Sequence, residues 1–489
     1  MAALQTAFRP HIPLHPWLRT LEVAFVPPER PLPLVAEVFR GLETAFRSQG
    51  HRVVSPPRAH TPVLFTAAPF GEPVNWRRAL MFTARRRFDM QVTPLVWTVV
   101  PVTPQRWQEE LARLVQALSK PAPQAEDFAY PGLASTAWRT LVEQGRRGGP
   151  ILALERVVQA QAKSIRVLLV VGEDHPQEAY LFDLVGAHPR IPAEDPNFFY
   201  ADLVLRIVTA ASTREVTDHV VVGDLIAAET WQALEAPRAM RRAAAELGRR
   251  DFFTPMVRIS DLVAVPAVEA SISSQYSEGC FATWEPRLNA LIATVTGSAR
   301  PVAKDAITDD DLAVIVGVRP DGQGALVRHV EGKRNDPPSS EAVELFDMDA
   351  PLPRVDWHGA TVPVARSKLH GHRGVRAFDP TLVEFVPLDE AYYHLPVSCA
   401  TDAQARGIKG AFARSQALRN PADPRQIVFT VLPGHGLVMV EKWVPGKAPF
   451  QVMWEAMDAG RIVIDSRVSQ GPFTYEMNAE GQMALRETN

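Results

Sequence analysis

Apolar and polar residues follow two different periods along the first part of the chain. LEVAFV is mostly apolar and predicts a buried strand, whereas PLVAEVFRGLETAFRSQG repeats apolar residues at helical spacing and ends in glycine. HRVV predicts the next strand, and the alternation continues through TPLVWTVVPVT and PQRWQEELARLVQALSK. Strands that alternate with helices favour a parallel sheet with helices on its faces. We therefore predict an N-terminal α/β domain over residues 1–150.

A proline-rich break, KPAPQAEDFAYPG, is followed by a further helix pattern, ILALERVVQAQAKS, and a strand pattern, IRVLLVVG. They predict a second α/β domain over residues 151–275. Beyond it, short β-like runs such as LAVIVGV and RQIVFTVLPG lie between turn clusters, which predicts a β-rich domain over residues 276–489. The predicted fold class is α/β: two consecutive doubly wound parallel-sheet domains, then a mainly antiparallel β-rich C-terminal domain, a barrel or sandwich.

Composition narrows the class of protein. A chain of 489 residues is too long for one core, and 46% hydrophobic with 22% charged residues is typical of a soluble globular protein. The net charge of -3 provides no positive field for nucleic acid. The N-terminus lacks the apolar core of a secretory signal, no run approaches the ~18 apolar residues of a membrane span, and two cysteines cannot form a disulfide framework. We expect a cytoplasmic protein.

The stretch SKLHGHRGV carries the main candidate chemistry. If it is extended, His370 and His372 face the same side and both can reach one metal ion. Two alternatives stay open. The neighbouring cations favour binding of an anionic substrate, and the glycines favour a turn whose histidines bond to buried backbone. These cations are Arg366, Lys368, Arg373 and Arg376.

Three further segments contain candidate residues. In QYSEGCFATWEP, Glu278 is a candidate metal ligand or general base, and Cys280 is either a nucleophile or an inert buried thiol. His435 lies between two glycines at a tight turn, where bare backbone lets a ligand approach, and is a candidate ligand or acid. Lys333 and Arg334 are candidate substrate-binding residues, and they precede a predicted helix N-cap at Ser339 or Ser340.

Two α/β domains followed by a β-rich domain, together with the segment SEGCFATWEPRLNALIATVTGSARPV, resemble the L-fucose and L-arabinose isomerase group. The resemblance implies a divalent ion of the manganese type, held by carboxylates and histidine, that aligns the hydroxyl and carbonyl of a sugar while a carboxylate moves a proton. Of the family's functional residues, only Glu278 matches a position in this chain, as a metal ligand.

We therefore predict a metal-dependent enzyme on a small polar, carbohydrate-like substrate, in its narrowest form an aldose–ketose isomerase. The predicted cofactor is a divalent metal, with manganese as the candidate. Expected partners are a small-molecule substrate and further copies of the chain in a homo-oligomer, with no nucleic acid and no membrane. Two alternatives remain: a non-catalytic binding or assembly protein for an anionic metabolite, and a hydrolase or transferase that uses Cys280 or Cys399.

These candidates lead to one spatial prediction. Glu278, His370, His372 and His435 should converge on one cleft between the second α/β domain and the β-rich domain. The predicted roles are ligand or base for Glu278, ligand for His370 and His372, and ligand or acid for His435. The predicted substrate-binding residues are Arg366, Lys368, Arg373, Lys333 and Arg334.

Overall fold

The structure is a computed structural model. It describes residues 18–27, 33–58, 61–67, 95–101, 165–171, 178–183, 186–190, 196–214, 216–253, 279–296, 304–394, 397, 400–466, 468–469 and 471–486. The chain divides into two compact units: Met1–Thr213 with Val257–Gln275, and Arg214–Met256 with Tyr276–Asn489.

The first unit contains a seven-stranded sheet in the order β2-β1-β3-β4-β5-β6-β7. The neighbours from β2 to β5 are parallel, and β6 and β7 continue the sheet antiparallel. The described elements are β1 (Glu22–Val26), α1 (Pro33–Ser48), β2 (Arg52–Val54), β3 (Val63–Ala67), β4 (Leu95–Pro101), β5 (Ile165–Val171), β6 (Glu178–Asp183), β7 (Gly186–Arg190) and α2 (Pro196–Ser212).

Helix α1 belongs to this core because its apolar residues recur at helical spacing. Leu42 and Phe46, one turn apart, are fully buried. Phe46 contacts the ring of Phe65 on β3 with ring centroids 5.8 Å apart. A Cβ at Gly41 would overlap the ring of Tyr200 on α2, so this glycine lets the two helices approach closely. The predicted strand–helix–strand pattern over this segment is confirmed.

The second unit is built on a nine-stranded sheet in the order β17-β18-β19-β15-β9-β10-β11-β12-β8. Its elements are β8 (Val220–Val221), α3 (Ala228–Gln232), α4 (Glu235–Arg249), β9 (Cys280–Glu285), β10 (Ala290–Thr294), a 3₁₀ turn (Asp309–Asp311), β11 (Leu312–Val318), β12 (Ala325–Arg328), α5 (Ser340–Asp347), β13 (Arg354–Trp357), β14 (Ala360–Pro363), β15 (Ala365–Gly371), β16 (Gly374–Phe378), β17 (Val383–Phe385), α6 (Ala391–His394), α7 (Asp402–Arg414), α8 (Gln416–Arg419), β18 (Ile427–Leu432), β19 (Gly436–Lys442), α9 (Gln451–Asp458), β20 (Ile462–Asp465), β21 (Tyr475–Met477) and β22 (Met483–Leu485).

Pairing in the nine-stranded sheet is antiparallel from β18 through β12, and parallel only between β17 and β18 and between β12 and β8. The mainly antiparallel pairing is what the short β-like runs predict, but the sheet is mixed. Smaller antiparallel sheets are formed by β13-β14 and by β20-β16-β22-β21.

Both faces of the nine-stranded sheet are covered. Phe281 on β9 packs in one apolar cluster with residues of α4 such as Met240, whereas Ala282 packs in another with Leu345 of α5 and Phe412 of α7. Every residue of β9, β10 and β19 is buried. Strands buried on both faces need cover on both faces. Helices supply part of it, and the four-stranded sheet supplies another part, since the rings of Phe378 on β16 and Phe429 on β18 lie 5.2 Å apart between centroids. The predicted barrel or sandwich stays a prediction.

The coarse prediction of a mixed α/β protein is confirmed. The division into three domains with boundaries at residues 150 and 275 stays a prediction; the seven-stranded sheet contains strands from both sides of residue 150, and residues 214–256 group with the second unit. Within the described part of the chain, no helix combines the length and apolar character that crossing a bilayer requires.

Candidate metal centre

Two neighbouring strands of the nine-stranded sheet position the three histidines. His370 is the last residue but one of β15, and His372 follows the end of that strand. His435 lies in the turn between β18 and β19. Because β15 and β19 pair antiparallel, with Gly371 opposite Leu437, the start of β19 lies beside the end of β15. This pairing brings His435 to the other two histidines although 62 residues or more separate them in the sequence.

The imidazole rings form a compact triad. Ring centroids are 5.4 Å apart for His370 and His372, 4.8 Å for His370 and His435, and 5.2 Å for His372 and His435. One nitrogen from each ring lies within 4.8 Å of the others. Two nitrogens bound to one ion at ~2.1 Å can be no more than about 4.2 Å apart, so small rotations of the rings would bring all three into bonding range.

Glycine allows the two strands to come this close. A Cβ at Gly436 would overlap the carbonyl oxygen of Gly371 and would lie 3.0 Å from the Cα of His372. Gly434, on the other side of His435, has φ +63°, a left-handed conformation that favours glycine. The glycines that flank His435 therefore serve the turn and the close approach of the backbones.

Two of the three imidazoles have a buried nitrogen that lacks a protein partner. His370 Nδ1 lies 3.1 Å from the carbonyl oxygen of Leu437, which can only accept, so Nδ1 carries the proton and Nε2 the lone pair. His370 Nε2 and His435 Nε2 are buried with no hydrogen-bond partner in the described part of the structure. Buried polar atoms are normally satisfied, so this pair requires an explanation, and a metal ion between them is one.

Burial also decides the charge of these imidazoles. Burial, reinforced by the nearby His372, lowers the pKa of His370 to about 4, although Glu341 acts in the opposite direction. Burial and the two other histidines hold the pKa of His435 well below its ordinary value. Both rings are therefore neutral at pH 7, which is the form that binds metals. The anion-binding alternative depends on the neighbouring cations rather than on these rings.

Sequence reasoning missed two charged residues next to the triad. Glu341, in the first turn of α5, interacts electrostatically with His370. Buried Lys304 donates a hydrogen bond to the carbonyl oxygen of Gly279, and its charge also acts on His370. Ser339 is the N-cap residue of α5, as predicted. The predicted helix start could have drawn attention to Glu341, an acidic residue in the first turn of that helix. No comparable signal marked Lys304.

Cys280 is the register partner of His370 on β9 and is fully buried. Burial raises the pKa of its thiol to about 12, despite the nearby positive charge of Lys304. A neutral buried thiol is a poor nucleophile. This observation works against Cys280 in the cysteine-enzyme alternative. Cys399, like Glu278, lies outside the described residues.

The three predicted substrate-binding cations near the histidines contact partners within the fold. Arg366 donates to the carbonyl oxygen of Lys447 at 2.6 Å, and its guanidinium lies 4.7 Å from the ring centroid of Trp443. Lys368 is fully buried and pairs with Asp349. Arg373 pairs with Asp251. These contacts explain how the charges are tolerated, and a role in substrate binding stays a prediction.

Lys333 and Arg334 lie in the segment before α5. Lys333 donates to the carbonyl oxygen of Leu312 at 2.7 Å and lies 4.0 Å from the ring centroid of Trp231. Burial lowers the pKa of Lys333 to about 8. Arg334 lies 3.5 Å from Asp336 and is exposed. Their predicted role in substrate binding also stays a prediction.

Comparisons with protein-family models, with curated proteins and with solved structures find no match to this chain. The resemblance to the L-fucose and L-arabinose isomerase group therefore stays a prediction.

Proposed function

We propose that this protein is a metal-dependent enzyme whose ion is held by His370, His372 and His435. The observation that carries the proposal is the pair of buried Nε2 atoms, on His370 and His435, that have no partner among the described residues. A third imidazole lies within the same 4.8 Å group. A structural role for the histidines would be expected to leave their nitrogens hydrogen-bonded.

The donor set favours zinc among the divalent ions. All three grouped ligands are imidazoles, which suit zinc and other late transition metals, whereas manganese prefers carboxylate and water oxygen. Among the residues described, no carboxylate oxygen joins the grouped ligand atoms. Manganese, the sequence-based candidate, would need an oxygen ligand such as the predicted Glu278.

Three protein ligands leave a coordination position for a substrate or water, as in catalytic rather than structural zinc sites. A bound divalent ion would supply Lewis-acid activation of a substrate oxygen at this position. The hydrogen bond from His370 Nδ1 to Leu437 fixes the ring so that Nε2 presents its lone pair. His372, which is only half-buried, marks the side from which a substrate approaches.

The proposed substrate class is a small polar molecule of the carbohydrate type, and the narrower proposal is interconversion of an aldose and a ketose. This part rests on the sequence resemblance. A homo-oligomer and a cytoplasmic location belong to the same proposal.

Metal content tests the site. The full chain purified without chelator should contain close to one equivalent of metal by elemental analysis, and H370A, H372A and H435A should each lose it. His358 is an exposed histidine at φ +52° in the turn between β13 and β14, so His358→Asn is the matched control and should keep the metal. Loss of metal in none of the three variants would overturn the proposed centre.

Turnover tests the enzyme. Protein loaded with zinc or manganese is incubated with aldoses and ketoses, and product formation is followed by nuclear magnetic resonance. Interconversion that H435A abolishes and His358→Asn retains would support the isomerase. A metal-loaded protein that converts none of the sugars would refute the isomerase proposal while leaving the metal centre intact.

A further inference from the structure

The first turn of α5 lies next to the end of β15 that carries His370. Cys280 faces His370 across the β9–β15 pairing, and Thr294 Oγ1 donates to Cys280 Sγ at 3.5 Å. The backbone N–H of Ser339, the N-cap of α5, donates to the carbonyl oxygen of Thr294 at 2.9 Å. These contacts connect the start of α5 to His370.

A contact further along shows how α5 runs over β15. Lys368 Nζ donates to the carbonyl oxygen of Leu345, which is four residues after Glu341. Four helical residues span ~6 Å, and the two strand residues from Lys368 to His370 span about 6.7 Å. Glu341 is therefore placed over His370, as Leu345 is over Lys368. The negative charge of Glu341 acts on the His370 imidazole accordingly.

Glu341 is held as an anion in this place. Ser339 Oγ donates to Glu341 Oε2, and Ser340 Oγ lies 3.4 Å from the same oxygen. The N-terminus of α5, a helix of eight residues, also favours a negative charge in its first turn. Glu341 is only half-buried and does not belong to the grouped ligand atoms of the triad.

The charges at the triad require compensation. Neutral imidazoles give a divalent ion no negative charge, and a cation held against buried groups is costly unless an opposite charge lies near it. Buried Lys304 adds a further positive charge to the same surroundings. Among the described residues, Glu341 is the carboxylate whose charge acts on His370.

We propose that Glu341 is the anionic counter-charge of the metal centre: it stays outside the coordination sphere and strengthens binding of the divalent cation by His370, His372 and His435. The proposal rests on the proposed metal centre. It predicts that removing the charge of Glu341 weakens metal binding without changing the ligand set.

The matched control lies on the same helix. Glu344 is buried, and Gln404 Nε2 donates to its two carboxylate oxygens at 2.9 and 3.1 Å. Burial raises the pKa of Glu344 well above its ordinary value, and Glu344 is not among the groups whose charge acts on His370. Glu341→Gln makes the same chemical change one turn earlier and removes a charge.

The experiment titrates cobalt(II) into metal-free full-length protein and records both the dissociation constant and the visible spectrum, which reports the ligands. Glu341→Gln should raise the dissociation constant roughly 10- to 100-fold, the usual effect of losing a partner of the ligands, with the spectrum unchanged. Glu344→Gln should change neither, and Glu341→Asp, which keeps the charge, should recover most of the affinity.

An unchanged dissociation constant in Glu341→Gln would overturn the proposal. So would an altered spectrum, because Glu341 would then be a ligand or would hold a ligand in place. If Glu341→Gln fails to fold, Glu341→Asp and Glu341→Ala decide, since only the variant with a charge should bind tightly. If the unsubstituted protein binds no cobalt, the metal centre itself fails, which is a separate result.

Discussion

Replacement of Gly436 by alanine tests whether the approach of β19 to β15 builds the site. The added Cβ would overlap the Gly371 carbonyl oxygen and lie 3.0 Å from the carbonyl carbon of Gly371 and from the Cα of His372. Carbon atoms pack at about 3.5–4.0 Å, and the clash with the carbonyl oxygen is closer than the carbon contacts, so these backbones must separate by roughly 1 Å or more. Both strands are buried over their length, so close-packed neighbours resist their separation.

Overpacking of this kind costs ~1–3 kcal/mol. At roughly 2–4 °C per kcal/mol for a domain of this size, Gly436→Ala should lower the melting temperature of the metal-free protein by about 2–12 °C. The same movement shifts His435, the neighbour of Gly436, away from His370 and His372, so metal affinity should fall as well. Differential scanning calorimetry measures the first effect, and cobalt titration measures the second.

Gly410→Ala is the matched control. Gly410 lies inside α7, where a Cβ would meet only the flexible ends of Arg414 at 3.7 Å and Asp389 at 3.9 Å. Alanine in a helix interior is favoured over glycine by ~0.5–1 kcal/mol, so this variant should melt at the same temperature or slightly higher. If Gly436→Ala behaves like Gly410→Ala in both assays, the reasoning about close approach is refuted.

Three further predictions concern the buried ionisable groups. Asp349→Asn leaves Lys368 as a buried charge without its carboxylate partner and should lower the free energy of unfolding, measured with urea, by ~3–5 kcal/mol. A decrease of less than about 1 kcal/mol would show that the fold does not need the pair. Because the pKa of His370 is depressed, the unfolded state binds a proton that the metal-free folded state does not, and the stability of the folded protein should fall as pH drops from 6.5 towards about 4. Melting curves recorded over this pH range should show a smaller fall in stability for H370A. An equal fall in H370A would contradict the assignment. Cys280 should resist iodoacetamide in the folded protein and react fully in urea, measured by peptide mass spectrometry; rapid alkylation of the folded protein would reopen the cysteine-enzyme alternative.

Local patterns along the chain identified much of the fold. The period of α1 and the apolar β1 were readable because both follow directly from burying one face or a whole strand. The sheet partners were not readable in the same way. The two-residue strand β8 pairs with β12 over a sequence separation of about a hundred residues, and nothing in its local sequence indicates that partner.

The candidate site was partly predictable for a similar reason. His370 and His372 are two apart on one extended segment, so their proximity is a local property. The flanking glycines marked His435 in the sequence, but its position beside His370 and His372 depends on the pairing of β15 with β19. Glu341 belongs to a helix that packs on the sheet, and no spacing in the sequence indicates where on the sheet that helix packs.

The strands that carry the triad also determine when it can form. β15 pairs with β9, which begins at Cys280, and with β19, which ends at Lys442. During synthesis at ~5–20 residues per second, the chain must grow 65 residues from His370 to His435 before the third histidine exists. Closing a loop of this length lowers the entropy of the chain before the strand pairing can compensate, so such contacts form slowly. Binding of an ion at the proposed centre would therefore come late in folding, after β15 and β19 have paired.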